Sequence, residues 1–218
     1  MISESFYADK TQEYFAGIRR DIIDRLSVDR QRRILEIGCG DGSTGAYAKN
    51  TGKCGVYVGV ELFPAAAKAA ERVIDKVHVG NIEDMELPYP DAYFNVLIAS
   101  EILEHLVNPW QVLRRLHPKM KTKGRVYASS PNIAHHSTLR MLLNGRWDLK
   151  ASGRMDRTHL RWFTPKSYSE MFEQAGYSVL SVEPIVQPGF RARIIDLLTL
   201  KRFSHLFMSQ ILIVAVAR

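Results

Sequence analysis

The chain is predicted to fold as an α/β domain built on a parallel sheet with helices on both faces and one strand near the end running backwards. Three observations carry that expectation. Short apolar runs of strand length recur along the 218 residues, segments with apolar spacing near 3.6 lie between them, and two strand-like runs near the C-terminus lack the usual helical crossover. Their connection of about 24 residues, with a helix expected in "RARIIDLLTL", allows an antiparallel pair within the sheet.

Element by element, residues 10–27 read as a helix with Ile18, Ile22, Ile23 and Leu26 on one face. Tyr14 and Arg19 either reach a ligand cleft from it or lie on its solvent side. "RILEI" (33–37) and "VYVGV" (56–60) read as strands flanking a helix around "TGAYAKN". "FNVLIAS" (94–100), "GRVYASS" (124–130), "YSVLSVEPI" (177–185) and "QILIVAVAR" (210–218) repeat the strand signature, and "PWQVLRRLHPKM" (109–120) has helical spacing. Residues 131–165, rich in His, Arg and Trp, break the alternation just after a strand. Ligands of open α/β sheets bind outside the carboxyl ends of the strands, so this segment is expected to be an insertion that recognises substrate or forms a lid on a single domain spanning 1–218.

Composition narrows the function classes. With 46% hydrophobic and 24% charged residues the chain is an ordinary globular protein. No apolar run approaches the ~20 residues of a membrane span, and the N-terminus lacks the order of a signal peptide, which leads to a cytoplasmic expectation. Cys39 and Cys54 are expected to be reduced thiols. The net charge of +7 admits an anionic or nucleic-acid partner. Its densest groupings, Arg30/Arg32/Arg33 and Lys119/Lys121/Lys123, equally suit solvated loops and helix ends.

"ILEIGCGDGSTG" (34–45) places Gly38, Gly40 and Gly42 between a strand and a helix, where a ligand can approach the backbone and the helix N-terminus. The second strand ends in Glu61, placed to accept hydrogen bonds from both hydroxyls of a ribose. The spacing is GxGxG, with Ser43 where a dinucleotide fingerprint has its third glycine. Glu36, inside the strand before the turn, suits a cationic amino-acid moiety and not a pyrophosphate.

With these residues the sequence resembles the class I S-adenosylmethionine-dependent methyltransferases. "LEIGCGDG" resembles their first motif, "GVEL" (59–62) their second, and "VGNIEDMELPYPDAYFNVLIASEILEHL" (79–106) their third and fourth. The resemblance implies a Rossmann-like doubly wound sheet of about seven strands with the last strand antiparallel. It also implies S-adenosyl-L-methionine as cofactor. Glu36, Gly38 and Gly40 would surround its methionine portion, Glu61 would hold its ribose, Asn81 and Ile82 would flank its adenine, Ser100 and Glu101 would lie beside it, and Cys39 and Leu62 would also contact it.

"ASEILEHL" (99–106) adds a second constellation. On a helix starting near residue 101, Glu101, Glu104 and His105 would share one face at the sheet's carboxyl edge. With His159, or alternatively His135 or His136, they make a candidate site for a divalent metal. Methyl transfer to oxygen requires alignment and loss of the acceptor's proton, through a histidine base, a metal, or positioning alone. His105, His159 and Glu104 are therefore the candidate catalytic residues, and a fabric role for "LEHL" is the competing reading. The "ExxEH" pattern with a downstream histidine resembles the ubiquinone-biosynthesis O-methyltransferases and the small-RNA 2′-O-methyltransferases. The stretch from Ser129 to Tyr168 instead resembles methyltransferases of bacterial polysaccharide and O-antigen clusters. In that segment Trp147, Trp162 and Phe163 either stack on substrate or pack the lid, and Asp156, Arg157 and Arg161 either bind a sugar or phosphate or pair with one another. The leading expectation is O-methylation of a glycan precursor or small hydroxylated metabolite. A metal-dependent RNA or quinol methyltransferase, and a non-catalytic cofactor-binding regulatory module, are the alternatives.

Overall fold

A computed structural model describes residues 17–218, apart from the side chains of residues 191–193 and 195. Seven strands form one sheet: β1 (Arg33–Ile37), β2 (Val56–Glu61), β3 (Lys76–Val79), β4 (Phe94–Ser100), β5 (Met120–Pro131), β6 (Tyr177–Pro184) and β7 (Gln210–Ala217). Their order is β3-β2-β1-β4-β5-β7-β6, with β7 antiparallel to both its neighbours and the β1–β5 pairings all parallel. The chain winds outward from β1 to β2 and β3, then returns to add β4 on the other side of β1, so the strand order reverses between β1 and β4 and a crevice opens at their carboxyl ends.

Alternation along the strands builds two cores. Leu35, Leu97 and Ala99 join the cluster containing Phe94, Leu113 and Phe172, whereas Ile34, Val96 and Ile98 join the opposite cluster with Ile22, Tyr57 and Ala70. Both faces of β1 and β4 are buried, which accounts for their apolar runs, interrupted by Glu36 in β1 and Asn95 in β4. β3 is the strand the sequence analysis did not pick out. It is four residues long, lies at the sheet edge and is half exposed, so "KVHV" carries little apolar signal.

The helices are α1 (Arg20–Ile23), α2 (Ser43–Asn50), α3 (Pro64–Ala70), α4 (Pro109–Leu116), α5 (His136–Leu143), α6 (Pro165–Gln174) and α7 (Phe190–Leu198). Proline opens α4 and α6 behind a side-chain cap. Asn108 accepts from Gln111 N at 3.1 Å, and Thr164 with Ser167 forms a reciprocal capping box. The helix expected over 10–27 is a single turn among the described residues. Tyr14 lies outside them, Ile22, Ile23 and Leu26 are buried, and Ile18 is exposed. "RARIIDLLTL" falls on α7, and no helix among the described residues is long and apolar enough to cross a membrane. The basic groupings are structural at several points: Arg32 donates to the carbonyls of Ser27 and Lys53, Arg33 covers the Tyr93 ring, and Lys119 pairs with Asp91. Cys39 and Cys54 are buried thiols.

Candidate active site

The crevice is a cleft of about 1540 Å³ whose walls include Glu36, Gly38, Glu61, Asn81, Glu101, His105 and His159. Its first half is built on β1 and β2. Gly38, Gly40 and Gly42 adopt φ of 73°, 54° and 81°, the left-handed region a side chain disfavours, and Gly38 N and Cys39 N donate to Val60 O. Glu61 is held by the same turn: Oε2 accepts from Gly40 N at 2.8 Å and Oε1 from Phe63 N at 3.0 Å. These amide donors partly offset burial, which raises the Glu61 carboxyl above its ordinary range. Gly45 answers the irregular glycine spacing. A Cβ there would lie 2.4 Å from Ile74 Cγ2 and 2.7 Å from the Tyr57 ring, so its role is to seat α2 against β2.

Glu36 is buried, and Tyr57 OH donates to its Oε2 at 2.7 Å. Burial pushes its carboxyl up to about 7, against the opposing effects of Tyr57 and the Arg19 charge. Burial also pushes the Cys39 thiol far up, so it is an apolar wall and not a nucleophile. Leu62 lies on the rim, more than one-third exposed.

A loop after β3 closes this half. Asn81 Oδ1 accepts from Glu83 N at 3.0 Å and its Nδ2 donates to Asp84, so the side chain shapes its own turn. Ile82 is buried beneath. Arg115 of α4 donates to the Ile82 and Glu83 carbonyls, and the Glu83 carboxylate accepts from Val107 N and Asn108 N. Arg115 and Glu83 thus lock the loop to α4, a link invisible to local sequence patterns because the partners lie about thirty positions apart.

The second half departs from the expected helix at residue 101. Glu101 has φ of 51° and donates its backbone N–H to Ser129 O, and only the single 3-10 turn Leu103–His105 follows. The strand end must turn sharply over β5 here, which breaks the helical register linking Glu101 to the other two residues. Glu101 therefore does not share their face. Among the described residues, Glu104, His105 and His159 form the group whose candidate ligand atoms all lie within 4.8 Å of one another, and all three are buried. His135 and His136 stand apart: His135 caps α5 by accepting from Ser137 N, and the two rings stack at 4.1 Å. Burial, with Arg154 and His136 nearby, pushes the His135 imidazole down to about 4.

Within the cluster, both Glu104 carboxyl oxygens are buried without a hydrogen-bond partner, as are Glu101 Oε1 and Ser130 Oγ. Burial, then the charge of Glu101, holds Glu104 well above the ordinary carboxylate range; its own backbone amide and the nearby Ser130 oppose this, neither through a well-formed bond. The imidazoles are oriented from behind. His105 Nδ1 lies 3.2 Å from Thr158 O and His159 Nδ1 3.2 Å from Arg154 O. A carbonyl can only accept, so each neutral ring carries its proton on Nδ1 and turns the basic Nε2 away from that carbonyl. A carbonyl behind each ring and an orphaned carboxyl beside them fit a divalent cation or a shared proton.

The segment 131–165 docks on this cluster through its backbone. Leu160 N and Arg161 N both donate to Glu104 O, and Arg161 reaches Val107 O. Asp156 is consumed by its own turn, accepting from Thr158 N and Oγ1. Phe163 is core, packed on Tyr168, while Trp147 and Trp162 meet edge-on at 5.5 Å and stay partly exposed. Arg19 enters the same half from the N-terminal side: its guanidinium pairs with Asp21 and donates to Ser100 Oγ at 2.6 Å and Ser129 Oγ at 2.8 Å. Ser129, Ser130, Tyr168 and Thr158 were not legible as site residues, since each lies in a run explained by strand, helix or turn formation.

Residues 7–182 match the family model described as a methyltransferase domain, and the chain belongs to that family. Among curated relatives it is 30% identical over 152 residues to the ubiquinone biosynthesis O-methyltransferase of Aeromonas salmonicida, covering 68% of this chain and 63% of that protein. It is 33% identical over 103 residues to the 27-O-demethylrifamycin SV methyltransferase of Amycolatopsis mediterranei, covering 43% and 36%. The chain thus spans less than two thirds of the length of either protein. A SAM-dependent methyltransferase from Archaeoglobus fulgidus superposes with a TM-score of 0.69 at 22% identity, over 94% of this chain and 97% of that one, and shares the Rossmann-like fold.

Proposed function

We propose that this chain is an S-adenosylmethionine-dependent O-methyltransferase acting on a small hydroxylated acceptor, with a glycan precursor as the leading candidate. The observation that carries this reading is the buried Glu104, both oxygens unpartnered, beside His105 and His159 in the cleft that also holds the Gly-rich turn. A regulatory module without catalysis has no need of that desolvated cluster. The relatives named above, by their names, act in ubiquinone biosynthesis and on a rifamycin, which supports a small acceptor over RNA.

S-adenosylmethionine supplies a methyl group on a sulfonium, open to in-line displacement. Glu61 is placed for the ribose hydroxyls, and Glu36, once ionised, for the amino group. Gly38, Cys39 and Gly40 offer backbone around the methionine portion. Asn81 and Ile82 flank the adenine, Leu62 lines the rim of the same pocket, and Ser100 and Glu101 lie beside the cofactor at the end of β4. Two routes remove the acceptor's proton: either His105 or His159 takes it at Nε2, each ring held by its carbonyl, or Glu104 and the two Nε2 atoms would instead hold a divalent ion, which would lower the hydroxyl's pKa. The insertion shields the cluster and recognises the acceptor. A screen with labelled cofactor against glycan intermediates, quinol-like phenols and short RNAs tests the reading. Transfer to a small hydroxyl supports it, and transfer to RNA alone overturns it.

A further inference from the structure

Resting on that reading, we infer that the inserted segment contains a second binding site, which takes a phosphoryl group carried by the acceptor. A separate cavity of about 450 Å³ lies between α5 and the loop that follows it. Arg140, Arg146, Lys150 and Arg154 line it, opposed by a single acidic side chain, Asp148, which pairs with Arg146 at 2.7 Å. Arg140 and Lys150 form no ion pair among the described residues. Cations gathered in a concavity repel one another, and an anion bound among them relieves that repulsion.

Behind the cavity wall, Thr138 Oγ1 and Arg154 Nε are buried without a hydrogen-bond partner, while Arg154 Nη1 donates to Ser137 Oγ at 2.8 Å and so fixes the guanidinium at the cavity edge. Guanidinium groups with a lysine match the several oxygens and double charge of a phosphoryl group better than one carboxylate. The position also fits an acceptor anchor. Gly153 and Arg154 line both this cavity and the main cleft, and the Arg154 carbonyl is the one that orients His159. A molecule anchored here by its phosphoryl group would extend its hydroxyl toward the Glu104 cluster.

The test is calorimetric titration of inorganic pyrophosphate, in metal-free low-salt buffer, into the wild-type chain and an Arg140→Ala/Lys150→Ala double variant. Both residues are exposed, and S-adenosylmethionine titrated into the same samples checks that the variant is folded. Binding to the wild type that weakens at least about tenfold in the variant, with cofactor affinity unchanged, is expected. No binding, equal binding by the variant, malonate binding as tightly, or displacement by an oligoribonucleotide without terminal phosphates overturns the site. Failure of S-adenosylmethionine to bind the wild type would overturn the methyltransferase reading instead, whatever pyrophosphate does.

Discussion

The two halves of the cleft treat their buried carboxyl groups in opposite ways. On the β1–β2 side the protein satisfies them itself: Glu61 accepts two backbone amides and Glu36 a tyrosine hydroxyl. On the β4–β5 side Glu104 has neither oxygen partnered. A satisfied carboxylate is a rigid, preorganised acceptor for a ligand that recurs each cycle. An orphaned one costs folding free energy and is retained where chemistry needs it.

That contrast is sharpened most by Glu104→Met. Methyl transfer is expected to fall by about 10²–10⁴-fold, the order lost when acid–base or metal assistance to the acceptor's deprotonation is removed, while the metal-free chain gains about 1–3 kcal/mol from losing an unpartnered buried carboxyl. Steady-state rates and urea denaturation check the two halves of this prediction, and a variant that is both active and less stable breaks it. On the other side, Gly45→Ala forces a Cβ onto Ile74 and Tyr57 and should cost about 1–3 kcal/mol. Because Tyr57 holds Glu36, cofactor affinity should drop with it.

Smaller effects follow within the first half. Glu61→Gln should weaken S-adenosylmethionine binding about tenfold by calorimetry with little change in turnover at saturation, the result of one weakened charge-assisted hydrogen bond. The least is the pH response of Glu36, whose folded carboxyl sits at about 7. A raised carboxyl binds more protons folded than unfolded, so its contribution makes the cofactor-free chain less stable as pH rises from its ordinary range near 4.5 through 7. Cofactor affinity should rise over the same window as the carboxylate forms to meet the amino group. Denaturation and calorimetry at pH 5.5 and 7.5 separate the two trends, and Tyr57→Phe should move the midpoint upward.

The same contrast decides what could be read from sequence. The Gly-rich turn, Glu36 and Glu61 are local to strands whose apolar runs announce them, and the antiparallel β7 follows from the chain's closing pattern. The cluster was legible only by residue type. His159 meets Glu104 and His105 across more than fifty positions, through the docked segment 131–165, whose path no periodicity predicts. The helix expected at residue 101 failed because Glu101 turns through the left-handed region. Glu36's partner was hidden for a simpler reason: Tyr57 reads as one more apolar strand residue.

The division of the cleft is tested most directly by titrating Mn²⁺ into the wild-type chain and into Glu104→Gln, with S-adenosylmethionine affinity measured on both. One ion per wild-type chain, lost in the variant while the cofactor binds equally to both, is the predicted result. No ion bound by the wild type, or equal binding by Glu104→Gln, would contradict the proposal that the orphaned carboxyl holds a metal ion and leave the proton-transfer role.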